Sequence, residues 1–209
     1  APGIEPITAR EVALLGVTEV AMEPGGVSFR ASLAEIEDAN LRLRTASRVL
    51  VRVARFRART FFELERHAKK LEWSRWLAPG VAPEFDVTSK KSKLYHEKGI
   101  AQRLAAASGC TMVTDAPTQL FVVRVHRDEF TLSLDSSGEL LHRRGYRQAT
   151  AKAPIRETLA AAMLLGAGWE GQAPLVDPMC GSGTIPIEAA LIARRIAPGL
   201  GPAFAFEVW

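Results

Sequence analysis

The chain has 209 residues, 47% of them hydrophobic and 24% charged, with a formal net charge of +4. That is enough apolar material for a packed core, but no apolar run approaches the roughly 18 residues that would span a bilayer. The two cysteines, Cys110 and Cys180, have no CxxC neighbour, and the opening Ala1-Pro2-Gly3-Ile4-Glu5 lacks a signal-peptide pattern. Free thiols, no metal site and a cytoplasmic address are expected.

The charge is segregated. Residues 1–40 set Arg10 and Arg30 against seven carboxylates, whereas residues 41–110 hold sixteen Lys and Arg against six. A cationic middle third is the footprint of a polyanion partner, because each cation near a phosphate releases a condensed counterion.

In chain order, Pro24-Gly25-Gly26 predicts a hairpin joining residues 18–22 to 27–31. Ser32 and Glu35 stand at capping-box spacing before Ile36, Leu41 and Leu43, and Thr60 and Glu63 repeat the device before Leu64, His67 and Leu71. Between these two helix starts, residues 47–57 alternate, with Arg48 and Arg52 on one face and Val49, Val51 and Val53 on the other. A strand over 85–88 leads through Lys90-Lys91-Ser92-Lys93-Leu94-Tyr95-His96 into a helix over 95–107. Residues 118–126 and 129–134 read as a hairpin around Arg127-Asp128. A helix is expected over 152–165, with Pro154 in its first turn. Trp73 and Trp76 read as packed core.

Leu175-Val176-Asp177-Pro178-Met179-Cys180-Gly181-Ser182-Gly183-Thr184, followed by Ile185-Pro186-Ile187-Glu188, reads as a buried strand, a glycine turn and a helix starting near Thr184. Glycines on both sides of Ser182 let the backbone turn sharply, and the helix start offers free N–H groups to an anion. A dinucleotide fingerprint would want glycine where Pro186 stands, and a P-loop would want Lys after Gly183. Asp177 disfavours a pyrophosphate and suits a ligand with an amino group or a ribose hydroxyl. S-adenosylmethionine carries both.

Asp177 to Gly183 with Ile187-Glu188 resembles the cofactor motif of the THUMP-domain RNA methyltransferases, the bacterial guanine-N2 class. Residues 133–147 resemble that family's exit from its THUMP domain, Ser89 to His96 its lysine-rich THUMP segment, and Ala1 to Pro6 its N-terminus. The resemblance implies an α+β ferredoxin-like and THUMP region followed by the start of an α/β Rossmann-like methyltransferase domain, divided as 1–46, 47–150 and 151–209. It also implies S-adenosylmethionine held by Asp177, Pro178, Met179, Cys180, Gly181, Ser182, Gly183 and Thr184. In the same way it implies RNA held by Lys90, Lys91, Lys93, Tyr95 and His96 and methylation of guanine N2, with ribosomal RNA ahead of tRNA.

Arg143, Arg144 and Arg147 are RNA candidates that could equally pair with Asp135, Glu139 or Glu157. Cys180 is expected to pack under the turn, the rival role being a nucleophile with a lowered pKa. Residues 154–209 are too few for the strands and helices of a whole methyltransferase domain, and the family's Asn-Pro-Pro-Tyr loop is absent, so the sequence reads as a catalytically incomplete portion. Ile187, Leu191 and Ile192 are expected to be exposed. A stand-alone RNA-binding module is the competing reading.

Overall fold

The computed structural model describes residues 2–110, 117–146, 154–201 and 203–208. Its elements in chain order are α1 (Glu5–Ala13), β1 (Thr18–Glu23), β2 (Gly26–Arg30), α2 (Leu33–Arg42), β3 (Leu50–Arg57), α3 (Phe61–Ala68), β4 (Ala82–Lys90), α4 (Glu97–Ser108), β5 (Thr118–His126), β6 (Glu129–Asp135), α5 (Glu157–Gly166) and α6 (Thr184–Ala193). Short 3-10 turns lie at Trp73–Arg75 and Ala205–Val208. The chain divides into two compact units, residues 1–49 with 139–204, and residues 50–138 with 205–209.

In the first unit β1 and β2 form an antiparallel hairpin, as the Pro-Gly-Gly turn predicts. α2 starts on the expected capping box: Ser32 accepts the Glu35 N–H, and the Glu35 carboxylate accepts the Ser32 N–H at 2.6 Å. The core gathers Val12, Val17, Ala39, Leu43, Val49 and Leu141. α5 begins at Glu157, with Arg156 extended as its N-cap. Pro154 therefore precedes the helix instead of sitting in its first turn, because the extended backbone of Arg156 sets the helix start at Glu157. Lys152 falls outside the described residues.

The second unit is a four-stranded sheet in the order β3-β6-β5-β4, with β4 parallel to β5 and the other pairs antiparallel. The predicted hairpin of residues 118–126 with 129–134 is the β5–β6 pair. Alternation on β5 buries Phe121, Val123 and Val125, which meet Phe130, Leu132 and Leu134 of β6 and Leu64, Ile100 and Leu104 of α3 and α4. Trp73 joins this core, edge-on to Phe121 and with Nε1–H donating to the Ala68 carbonyl at 2.9 Å. Trp76 packs at its margin.

α3 starts with half of the predicted box. Thr60 accepts the Glu63 N–H at 3.2 Å, but the Glu63 carboxylate reaches past Thr60 to the Arg59 N–H at 2.6 Å. Among the described residues no helix is long and apolar enough to cross a membrane.

Candidate functional site

The glycine turn takes the expected shape at its centre. Gly181 and Gly183 lie in the left-handed region at φ 53° and 77°, where a side chain would be strained. The Gly183 N–H donates to the Cys180 carbonyl at 2.7 Å, and the Gly183 carbonyl accepts the Ile187 N–H at 2.9 Å, which launches α6 at Thr184. Pro186 has no N–H, so Thr184 and Ile185 supply the amide donors of the first turn. Upstream, Asp177 Oδ1 accepts the Met179 N–H at 3.1 Å.

This donor set fits the methionine end of S-adenosylmethionine. Amides at the head of α6 suit a carboxylate, the half-buried Asp177 suits an ammonium group, and the glycines keep side chains out of the approach. Ser182 and Thr184 hydroxyls lie 3.3 Å apart at the mouth of the turn.

The flank of the turn differs from the expectation. Residues 174–177 pair with no strand among the described residues, and Val176 is 86% exposed. Apolar residues specify a strand only when a neighbour supplies the ladder, and none of the described strands lies beside these. Cys180 is exposed and not packed under the turn. Among the described residues no cluster of His, Cys, Asp and Glu gathers to hold a metal. Ile187, Leu191 and Ile192 are half-buried, and among the described residues from 154 onward the large exposed apolar side chains are instead Met163, Leu175, Val176, Met179 and Leu200.

One turn into α6 sits a feature that the sequence reading missed. Glu188 is fully buried. Its Oε2 accepts from Arg144 at 2.5 Å and its Oε1 accepts the Tyr146 hydroxyl at 2.8 Å. Arg144 also donates to the Arg44 carbonyl at 2.6 Å, and Arg44 donates to the Ile196 carbonyl at 2.6 Å. Burial pushes the Glu188 carboxyl up against the pull of Arg144 and Tyr146, and burial beside Glu188 drives the Tyr146 hydroxyl well above its ordinary value. Arg144 is 5% exposed and so is removed from the RNA-facing set. The spacing of Arg144 and Tyr146 gave no sign of this partner, because Glu188 is 44 residues away.

The cationic segment occupies the surface of the second unit. Lys90, Lys91, Lys93 and His96 are exposed, and Tyr95 is 77% exposed. His96 also works locally, its Nδ1 accepting the Gly99 N–H at 2.9 Å to cap α4. Asp128, in the β5–β6 turn, accepts the Lys93 N–H at 2.8 Å and the Arg59 Nε–H at 3.0 Å. The Lys93 amide holds the Asp128 carboxyl below its usual range. Arg143 pairs with Glu139 at 2.9 Å on the surface, one of the partners weighed above, and Arg147 lies outside the described residues.

Two family models match separate segments of the chain. Residues 144–208 match the model of the RMKL-like methyltransferase domain, which takes in the glycine turn and α6. Residues 1–50 match the RlmL ferredoxin-like domain. The ribosomal RNA large subunit methyltransferase K/L of Syntrophotalea carbinolica is 39% identical over 99% of this chain and 31% of its own length.

A solved protein of Listeria monocytogenes, described as a "predicted N6-adenine-specific DNA methylase", is 42% identical with a TM-score of 0.93. That match takes in 100% of this chain and 57% of the other. A third relative, described as "SMU.472, a putative methyltransferase complexed with SAH", is 36% identical with a TM-score of 0.90, over 100% of this chain and 58% of the other. The chain thus spans little more than half of either solved protein. Two separate segments thus match models of an RMKL-like methyltransferase domain and an RlmL ferredoxin-like domain, and one solved relative is described as complexed with SAH.

Proposed function

We propose that this chain captures RNA and contributes the methionine end of an S-adenosylmethionine site to an RNA methyltransferase acting on guanine N2, with ribosomal RNA ahead of tRNA as substrate. The observation that carries the reading is the pair of left-handed glycines opening α6 behind Asp177. When bound, the donor supplies an electrophilic methyl group on a sulfonium centre. The head of α6 would hold its carboxylate, Asp177 its ammonium group, and Pro178 to Thr184 would line its backbone side. Such binding works by orientation, which is most of what an already activated methyl donor requires.

A THUMP region over 47–150, between an N-terminal subdomain of 1–46 and a methyltransferase segment from 151, is the organisation supported by the family resemblance. The exposed Lys90, Lys91, Lys93, Tyr95 and His96, with Arg143 beside them in the set, are its RNA contacts, cations for phosphate and a ring for a base. The guanine-N2 assignment rests on the likeness of residues 133–147 and 177–183 to that class, and ribosomal RNA on the large-subunit relative. A cytoplasmic address follows from that substrate.

Nucleoside mass spectrometry on cells lacking the gene tests this reading. N2-methylguanosine should disappear from ribosomal RNA and return with a plasmid copy, while N6-methyladenine in DNA stays constant. An unchanged ribosomal profile with loss of the DNA mark would overturn it. Unchanged nucleosides with RNA affinity intact would favour the binding module without catalysis.

A further inference from the structure

The junction of β3 and α3 forms a groove of about 300 Å3 that the reading above leaves unused, lined by Arg57, Ala58, Arg59, Glu63 and Arg66. Three arginines line it with the Glu63 carboxylate, and Asp128 brings a second carboxylate to Arg59. Glu63 accepts the Arg59 N–H and Asp128 accepts from the Arg59 side chain, so Arg59 is fixed at two points. Arg57 and Arg66 are exposed and have no ion-pair partner within 4 Å among the described residues.

Phe62 directly precedes the groove-lining Glu63 on α3. It is 74% exposed, and at helical spacing of four it shares a face with Arg66. Its neighbour Phe61 is the ring used for packing: it lies against Gly99 of α4 and carries Arg103 at 5.5 Å from its centroid. Packing of α3 therefore consumes one aromatic ring and leaves the other exposed on the helix that carries Arg66. The Asp128 carboxylate that fixes Arg59 also fixes the Lys93 backbone, so the groove and the Lys90–His96 segment share one anchor.

A concave set of cations suits a phosphate, and a bare ring suits a base whose face is free. A base inside a duplex has both faces stacked and cannot meet such a ring, so the ring selects unpaired nucleotides. We propose that Arg57, Arg59 and Arg66 with Phe62 form a subsite for one unpaired ribonucleotide, next to the surface formed by Lys90 to His96. This rests on the RNA-capture reading and names the structural state of the RNA that it takes.

Anisotropy titrations of the 209-residue chain against a single-stranded RNA of about 12 nucleotides and a blunt hairpin of the same composition, its arms joined by a non-nucleotide linker so that every base is paired, test it. Phe62→Ala should weaken strand binding at least about fivefold and hairpin binding by less than about twofold, since stacking serves only the unpaired base. Arg66→Gln should weaken both and lower the slope of log affinity against log salt by about 1. Both positions are exposed, so melting temperatures should stay at the wild-type value. If Phe62→Ala lowers strand and hairpin binding equally, or if both variants bind as the wild type while Lys91→Gln is weakened, the subsite is overturned and RNA capture survives. If the wild type itself binds neither RNA at low salt, the underlying reading fails.

Discussion

Arg144 and Glu188 show how one contact changes the meaning of a residue. As part of an arginine-rich run, Arg144 reads as an RNA ligand; buried against Glu188, it is a strut between the segment before residue 147 and the second turn of α6. Removing one partner strands a charge inside the unit, so Arg144→Ala is expected to lose roughly 3–5 kcal/mol in urea denaturation, whereas the joint change Arg144→Met with Glu188→Leu loses much less. A joint loss equal to the sum of the two single losses would show that the pair is not coupled.

Glu11 gives a pH prediction in the same unit. Its carboxylate accepts from the Arg44 N–H at 2.9 Å and the Thr45 N–H at 3.0 Å, yet burial outweighs these bonds and raises it above the ordinary value of 4.5. The folded state then binds this proton more tightly than the unfolded chain, so the group's contribution to stability falls as pH climbs from the ordinary value through the raised one. The stability difference between wild type and Glu11→Gln should shrink over that interval. A difference that grows with pH would contradict the assignment.

Elements were legible where the cause is local. Ser32 with Glu35 marked α2, Pro24-Gly25-Gly26 marked the first hairpin, and Arg127-Asp128 marked the turn between β5 and β6, because caps and turns are decided within four residues. Ser32→Ala should accordingly cost about 1 kcal/mol of stability, read by thermal melting. The extended run before the glycine turn was not legible in the same way. Leu175 and Val176 have the composition of a buried strand, but burial is conferred by neighbours, and sequence pattern cannot tell whether those neighbours are in place.

The glycine turn itself is local again, and Gly183→Ala is its test. With φ at 77°, a Cβ adds about 1–2 kcal/mol of backbone strain at the head of α6, so the substitution should lower both stability and donor affinity. A variant with wild-type affinity would remove the turn from the site.

At the scale of the molecule, segregation of charge was the most informative global property in the sequence, since composition carries the sign of the partner without any fold. It located the cationic third but not its shape. Which arginines face a groove, which are struts and which ring is left bare depend on how β3, α3 and the Asp128 turn pack, and those contacts join residues more than 30 positions apart. The glycine turn carried the chemistry because its spacing is fixed by backbone geometry alone.

Calorimetric titration of S-adenosylmethionine into the longest form of the protein, as wild type and as Asp177→Ala, tests the central claim most directly. The account predicts saturable one-site binding by the wild type and a loss of at least about tenfold in the variant, through removal of a charge-assisted contact to the donor's ammonium group. Wild-type affinity in the variant, or no binding by the wild type, would contradict it.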